Sequence, residues 1–200
     1  MNKEYKNLKG IAFDYWGLFS PMDFPIHWAL EEHGLTRERR REKAEYLEAV
    51  SDHNLGKMSE KEYIAKCANI FGVDLDYHKS RIKFEKDRLN HSLIQIVKKL
   101  RTKYKIGLLS NNSDAYTREY LFKPKLDKLF DVMVLSHLEG MRKPEPEIYL
   151  LLAKRMGLKP SEILYLDDQP SRLSPAGELG FKILLYEGPK TDEILEKIAM

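Results

Sequence analysis

The 200-residue sequence has little of what would indicate a secreted, membrane-bound or nucleic-acid-binding protein. Its single cysteine, Cys67, cannot form an intramolecular disulfide, and we expect a small core residue in a reducing compartment. No apolar run approaches the ~20 residues that a membrane span needs, and no signal peptide is visible. The net charge of +3 is too small to indicate a nucleic-acid partner. The sequence therefore predicts a cytoplasmic protein.

A short apolar run near the amino terminus ends in an acid. Ile11 to Phe13 lie between Gly10 and Gly17, and such a run predicts a buried parallel strand. Asp14 follows this strand directly, at the edge where ligands bind in open α/β sheets. Taken alone, Asp14 would equally well cap a turn. Three further strand ends downstream, each followed by polar groups, favour a chemical role.

Residues 21–90 show helical patterns and no strand pattern. Four helices are expected, beginning near Pro25, Thr36, Ser59 and either Asp74 or Asp76, the last of them running towards Leu89. Ser59 and Glu62 have the spacing of a capping box. The basic run at 37–41 is typical of the solvated face of a helix. We expect residues 21–90 to form a helical cap inserted into a domain made of residues 1–20 and 91–200.

The remainder of the chain alternates between helices and strands. Apolar runs at 106–109, 131–135, 163–166 and 181–185 predict strands, and a helical pattern separates each from the next. This alternation indicates parallel β-α-β units with right-handed crossovers. The predicted fold class is therefore α/β, with the first strand in the same parallel sheet.

Polar side chains that would suit phosphoryl transfer follow the predicted strands. They are Asp14, Ser110 with Asn111, Lys143, and the pair Asp167 and Asp168. Each has an ordinary alternative: a helix cap for Ser110 and Asn111, a surface position for Lys143, and a turn for the acidic pair. Two acids directly after four apolar residues are costly without a cation. Independent ordinary roles for all of them, in this order, are the less favoured interpretation.

These groups have complementary roles in a phosphoryl-transfer site. Asp14 would attack phosphorus as a nucleophile. Ser110 and the amide of Asn111 would bind non-bridging oxygens, and Lys143 would offset their charge. Asp14 and the pair Asp167-Asp168 would hold Mg²⁺, which prefers oxygen ligands.

Four segments in this order resemble the motifs of the haloacid dehalogenase-like hydrolases. They are F-D-Y-W-G, L-L-S-N-N, G-M-R-K-P-E-P-E-I-Y and I-L-Y-L-D-D, and the resemblance covers essentially the whole chain. It implies a Rossmann-like parallel-sheet core with an inserted helical cap. The third segment is especially similar to a branch that holds sugar-phosphate phosphatases and the phosphatase-like domains of epoxide hydrolases. The implied activity is that of a Mg²⁺-dependent phosphohydrolase or phosphotransferase, acting on a small phosphorylated metabolite through an aspartyl phosphate.

The chain departs from the family pattern at a catalytic position. Phosphatases of the family usually carry a second Asp that protonates the leaving group and activates water, and Trp16 at this position can do neither. The resemblance implies that the backbone carbonyl of Trp16 still binds Mg²⁺. Arg172 stands where members often have Asn, and Leu18 replaces a usual Thr.

Two alternative functions follow from these departures. The 2-haloacid dehalogenases of the family have an aromatic residue, Tyr, at the Trp16 position, but they lack a metal and do not have the acidic pair Asp167-Asp168. A catalytically impaired binding protein on the same scaffold is the second alternative.

Substrate specificity in this architecture is expected to come from the cap, which closes over the site as lids do. Candidate substrate contacts follow the first motif closely: Phe19, Phe24, His27 and Trp28. Their alternative role is packing in the cap core.

Overall fold

A parallel sheet forms the centre of the computed structural model, which describes residue 5 and residues 7–22, 24–83 and 85–200. Its strands are β1 (Gly10–Phe13), β2 (Lys105–Ser110), β3 (Val132–Leu135), β4 (Ile163–Asp167) and β5 (Lys182–Leu185). The spatial order is β3-β2-β1-β4-β5, and every pairing is parallel. Phe13 lies in register with Leu108 and Leu166, so β1, β2 and β4 end at nearly the same level. The predicted α/β fold with a Rossmann-like parallel sheet is confirmed.

The described helices fall into two groups along the chain. Between β1 and residue 90 lie α1 (Pro25–Glu32), α2 (Arg37–Arg41), α3 (Ala44–Asn54), α4 (Glu60–Phe71) and α5 (Tyr77–Ser80). The helices interleaved with the later strands are α6 (His91–Leu100), α7 (Asp114–Thr117), α8 (Ser136–Glu139), α9 (Pro146–Met156), α10 (Pro170–Glu178) and α11 (Pro189–Ala199). A π-helical turn, Arg118–Phe122, continues α7. No described helix combines the length and apolar composition that a membrane span requires.

The central strands β1, β2 and β4 are buried on both faces of the sheet, which is why they read as continuous apolar runs. Along β1, Ile11 and Phe13 pack into one hydrophobic cluster with residues of α6 and α11, such as Leu93 and Leu195. Ala12 points the opposite way, into a second cluster built on α9 and α10. The alternation of side chains along a strand therefore supplies both layers of the core.

We call the helices α1 to α5 the cap helices. All of them except α2 contribute residues to a hydrophobic cluster of their own. Cys67 is fully buried in this cluster, as expected from the sequence. The side chain of Arg40 is also buried, so the basic run 37–41 is not wholly a solvated helix face. Its guanidinium donates to the Leu35 carbonyl (2.7 Å) and to Glu31 (3.2 Å). The domain boundaries at residues 21 and 90 stay a prediction.

Two of the predicted cap helices differ from the structure. The helix expected from Thr36 to Val50 is two helices, because α2 ends at Arg41 and α3 begins at Ala44. The fourth expected helix is only the single turn α5, and no further helix is assigned among the described residues until a short 3₁₀ turn at Lys86–Arg88. Residue 84 of that predicted helix lies outside the described residues. A contact explains the early end: the Ile82 N–H donates to the carboxylate of Glu60 on α4, which fixes the chain across the cap.

Candidate active site

Three carboxylates meet at the carboxyl edge of the sheet. Asp14 follows β1, Asp167 ends β4, and Asp168 is the next residue. One oxygen from each can be chosen so that all three lie within 4.8 Å of one another. The parallel register of β1 and β4 brings them together, because Asp14 and Asp167 follow the paired residues Phe13 and Leu166. The predicted grouping of these acids is therefore present.

A fully buried lysine joins two of these acids. The Nζ of Lys143 lies 2.9 Å from Oδ1 of Asp14 and 2.7 Å from Oδ2 of Asp167. It also donates to the hydroxyl of Tyr165 (2.9 Å), which itself donates to Asp167 (2.6 Å). Since a buried ammonium is tolerated only when it is paired and hydrogen-bonded, this network fixes the position of Lys143.

The loop that carries Lys143 is tied to β2 by the side chain of Asn111. Its Nδ2 donates to the Lys143 carbonyl (2.9 Å), and its Oδ1 accepts from the Lys143 N–H (2.8 Å). The side-chain amide of Asn111 is therefore committed to positioning the lysine. Any oxyanion contact from Asn111 would come from its backbone N–H.

The hydroxyl of Ser110, the last residue of β2, is buried and has no hydrogen-bond partner among the described residues. Buried polar atoms are nearly always paired in folded proteins, so an unpaired one calls for an explanation. A ligand oxygen at the strand end would supply the missing partner.

The two oxygens of Asp14 differ in their contacts. Oδ1 accepts from Lys143 and from the backbone N–H of Tyr15 (2.7 Å). Oδ2 accepts from Nη1 of Arg172 (3.1 Å), at the start of α10. Burial raises the pKa of Asp14, and the charges of Lys143 and Arg172 oppose this shift. Burial would also raise the pKa of Asp167, but the charge and hydrogen bond of Lys143 hold it below its ordinary value.

The acidic group fits a hard divalent cation. Oδ1 of Asp168 is buried and has no partner among the described residues. Burial, together with the charges of Asp14 and Asp167, raises the pKa of Asp168 to about 6. Gly17 leaves room for this carboxylate, because a Cβ at that position would overlap it. An all-oxygen set with an unpaired carboxylate oxygen is of the kind that Mg²⁺ binds.

Trp16 is held in an aromatic cluster and lacks an ionisable group. Its ring lies 4.6 Å from Phe24, 5.1 Å from Tyr120 and 5.7 Å from Tyr116, measured between ring centroids. Its indole N–H donates to the side-chain oxygen of Asn112 (3.3 Å). The side chain of Trp16 thus packs among other rings at the edge of the site. It supplies no proton donor or acceptor suited to acid–base catalysis.

A cavity of about 590 Å³ lies between the sheet edge and the cap helices, within the range of about 300–1,000 Å³ of small-molecule sites. Trp16 and Arg172 line it from the sheet side, and His27 and His53 line it from the cap helices. His53 is stacked on Tyr63 with 4.4 Å between ring centroids, and its Nε2 has no described partner.

The predicted substrate contacts divide into two pairs. Phe24 and His27 line the cavity, whereas Phe19 and Trp28 do not. Phe19 is fully buried in the core below the sheet edge. Trp28 is 40% exposed and lies outside the cavity with Arg88 over its ring, because successive helical residues point about 100° apart. The structure thus places Phe19 and Trp28 away from the cavity, and their contact with a substrate stays a prediction.

Three residues of the site, Tyr165, His53 and Arg172, were not predicted from the sequence to belong to it. Tyr165 and His53 have no local signal, because only packing brings them to the lysine and to the cavity. Arg172 was noted as unusual, but its contact with Asp14 was not predicted. Its position gave a usable signal: it follows Asp168 by four residues at the start of a helix, and one turn returns it over the strand end.

Acids gathered around one buried lysine at a strand edge, beneath a cavity of small-molecule size, are typical of a hydrolase with α/β architecture. The chain belongs, more particularly, to the haloacid dehalogenase-like hydrolases, since a sequence model of that family matches residues 8–180.

Curated relatives cover different parts of the chain. Mouse acyl-CoA dehydrogenase family member 10 is 38% identical over 100 residues, which are 50% of this chain and 9% of that protein. Mouse bifunctional epoxide hydrolase 2 is 33% identical over 55% of this chain and 21% of that protein. The chain thus spans a small part of these two relatives. D-ribitol-5-phosphate phosphatase of Bacteroides thetaiotaomicron is 26% identical over 88% of this chain and 90% of that protein.

A solved structure shares the fold. It is a haloacid dehalogenase family enzyme of Bacteroides thetaiotaomicron in complex with magnesium and inorganic phosphate. It matches with a TM-score of 0.70 at 21% identity and covers 91% of this chain and 96% of that chain.

Proposed function

We propose that this protein is a Mg²⁺-dependent phosphohydrolase or phosphotransferase that acts on a small phosphorylated metabolite through a phosphorylated Asp14. The observation that carries the proposal is the buried Lys143, joined to Asp14 and Asp167 within 2.9 Å and next to an unpaired oxygen of Asp168. The phosphatase among the relatives and the phosphate complex of the matched structure support the same class of substrate.

In the first step the carboxylate of Asp14 attacks phosphorus, the bond from phosphorus to the ester oxygen breaks, and the alcohol group leaves with that oxygen. Lys143 and the N–H of Tyr15 hold Oδ1, which fixes the orientation of the carboxylate for attack. The free hydroxyl of Ser110 and the backbone N–H of Asn111 bind non-bridging oxygens of the phosphoryl group. Water then attacks phosphorus in a second step and releases phosphate from Asp14.

Mg²⁺ would be held by Asp14, Asp167 and Asp168 and by the backbone carbonyl of Trp16. When bound, it offsets the negative charge of the phosphoryl oxygens. The raised pKa of Asp168 and its unpaired oxygen support this assignment, because a cation relieves both the burial and the repulsion.

The cavity favours an anionic substrate. Arg37, Arg41 and Arg142 line it, and none of them forms an ion pair with a described residue. Glu31, the acid among the lining residues, is already paired with Arg40 (3.2 Å). A positive cavity concentrates phosphate esters and steers them towards Asp14.

The test is a panel of phosphate monoesters assayed with and without Mg²⁺, comparing the parent with Asp14→Asn. We expect turnover that needs Mg²⁺ in the parent and falls to background in the variant, because the amide is not a nucleophile. Asp114→Asn, which removes an exposed carboxylate outside the site, is the matched control and should keep parent activity.

Each alternative function has its own outcome. Release of halide from 2-haloacids without Mg²⁺, and no phosphate release, would identify a dehalogenase. Saturable binding of phosphate esters with no turnover in the parent would identify a binding protein. Either outcome contradicts the proposal.

A further inference from the structure

An arginine occupies the side of Asp14 that a metal and a substrate both need. Nη1 of Arg172 lies 3.1 Å from Oδ2 of Asp14. Lys143 and the N–H of Tyr15 already engage Oδ1, so Oδ2 is the oxygen left for a ligand. The guanidinium therefore stands where a cation ligated by Asp14 would be placed.

The charges of the site also favour a counter-ion here. Asp14, Asp167 and Asp168 bring three negative charges into a small volume, and Lys143 neutralises only one. Arg172 supplies the second positive charge, next to Asp14, which is fully buried. Because an uncompensated buried charge is strongly destabilising, the guanidinium of Arg172 stabilises the metal-free site.

Arg172 is held much more loosely than Lys143. The lysine is fully buried and bonds to three side chains, whereas the Arg172 side chain is 20% exposed. Within the described part of the chain, its contact with Asp14 is the one hydrogen bond that this guanidinium makes. The residue also lines the cavity, so it has free space into which it can turn.

We propose that Arg172 is an internal counter-ion that holds Asp14 in the metal-free site, leaves Asp14 when Mg²⁺ binds, and then contacts the phosphoryl group of the substrate. This inference rests on the proposed function, because it assumes the same metal and substrate. A guanidinium suits the second position, since its planar fork matches phosphate oxygens. No bond is made or broken in the exchange, and Arg172 stays charged throughout.

Calorimetric titration of Mg²⁺ into the metal-free protein, without substrate, tests the first half of the proposal. In Arg172→Gln the competing cation is gone, so we expect Mg²⁺ to bind about tenfold tighter than in the parent, as befits the loss of one charge-assisted contact. Arg142→Gln removes the same charge from the same cavity without touching Asp14, and should stay within about twofold of the parent. Asp168→Ala should show no Mg²⁺ binding.

Titration of inorganic phosphate at saturating Mg²⁺ tests the second half. Arg172→Gln should bind phosphate about tenfold more weakly than the parent, and Arg142→Gln should show a smaller loss. Arg172→Asn, the smaller residue that family members often carry, repeats both measurements in case the glutamine variant does not fold.

The results separate this proposal from the proposed function. Equal or weaker Mg²⁺ binding in the Arg172 variants than in Arg142→Gln overturns the counter-ion role, and phosphatase activity in the parent would then still stand. Absence of Mg²⁺ binding in parent and variants overturns both. Tighter Mg²⁺ binding in the variants, together with no phosphate release by the parent, upholds the counter-ion role and rejects the phosphatase.

Discussion

At the scale of single residues, the replacement of an acid by Trp16 has the largest chemical consequence. The indole is buried between aromatic rings and bonds to Asn112, so it neither donates a proton to a leaving group nor activates water. General acid–base catalysis typically contributes roughly 10²–10⁴-fold to a rate. The proposed reaction should therefore depend strongly on how readily the leaving group departs without a proton.

The leaving-group dependence can be tested with Trp16→Asp. The parent should cleave aryl and acyl phosphates much faster than alkyl phosphates, because their leaving groups need no proton. Trp16→Asp should raise the rate with alkyl phosphates by up to about 10²-fold, and the rate with aryl phosphates by less. Steady-state rates over a series of leaving groups, with melting temperatures to check folding, measure this effect.

Trp16→Phe is the matched control, since it keeps an aromatic ring and adds no acid. We expect it to keep the steep dependence of the parent on the leaving group. The prediction fails if parent rates do not vary with the leaving group and Trp16→Asp is neutral or harmful. The acid would then come from another residue that lines the cavity.

At the scale of helices and strands, local signals succeeded where no distant contact competes with them. The capping box at Ser59 and Glu62 begins α4 as expected, with both reciprocal hydrogen bonds present. The break between α2 and α3 had no such signal. There the Nζ of Lys43 donates to the Ile70 carbonyl on α4 (2.6 Å), so a contact across the cap helices competes with a continuous helix. Sequence periodicity does not contain this contact.

The junction of α3 with α8 gives a prediction at the same scale. Gly56 after α3 and Gly72 after α4 both have a positive φ, at 71° and 64°. A Cβ at Gly56 would lie 2.8 Å from the carbonyl oxygen of His137, whereas nothing lies within 4 Å of one at Gly72. Gly72→Ala should cost about 1 kcal/mol of unfolding free energy from backbone strain alone. Gly56→Ala should cost at least about 1 kcal/mol more, because overpacking adds to the strain.

Urea unfolding of the two alanine variants measures the difference. Gly56→Ala should also raise the KM for phosphate esters, since it displaces the end of α3 that brings His53 and Asn54 to the cavity. Gly72→Ala should leave KM unchanged. Equal losses of stability in both variants would mean that α8 moves away from the added methyl group without a cost in unfolding free energy, and would contradict the prediction.

At the scale of the whole molecule, the sequence predicted the polar side chains at the sheet edge better than the residues that line the cavity above it. Asp14, Ser110 and Asp167 stand at the carboxyl ends of strands in one parallel sheet, so predicting that sheet was enough to place them at the same edge, although the spatial order of the strands was not predicted. The cavity depends instead on how the cap helices lie over that edge. This packing decides that His27 faces the cavity and Trp28 does not, and no periodicity in residues 21–90 determines it.

The dependence of overall stability on pH should reveal the buried histidine of the cap helices. Burial, reinforced by His137, lowers the pKa of His53 from 6.5 to about 4. The unfolded chain therefore takes up a proton first as the pH falls, and the free energy of unfolding decreases between pH 6.5 and 4. From pH 7 to pH 5 we expect this residue to lower the free energy of unfolding by about 2 kcal/mol.

Urea titrations of the parent and of His53→Phe at the two pH values test this expectation. The variant keeps the stacking on Tyr63, and its free energy of unfolding should fall by about 2 kcal/mol less than that of the parent. His91→Gln, which replaces an exposed histidine, is the control for removing a histidine as such, and Asp168, whose pKa of about 6 also lies in this range, is present in every variant compared. Parallel curves for the parent and His53→Phe would show that His53 is protonated equally in the folded and unfolded chain.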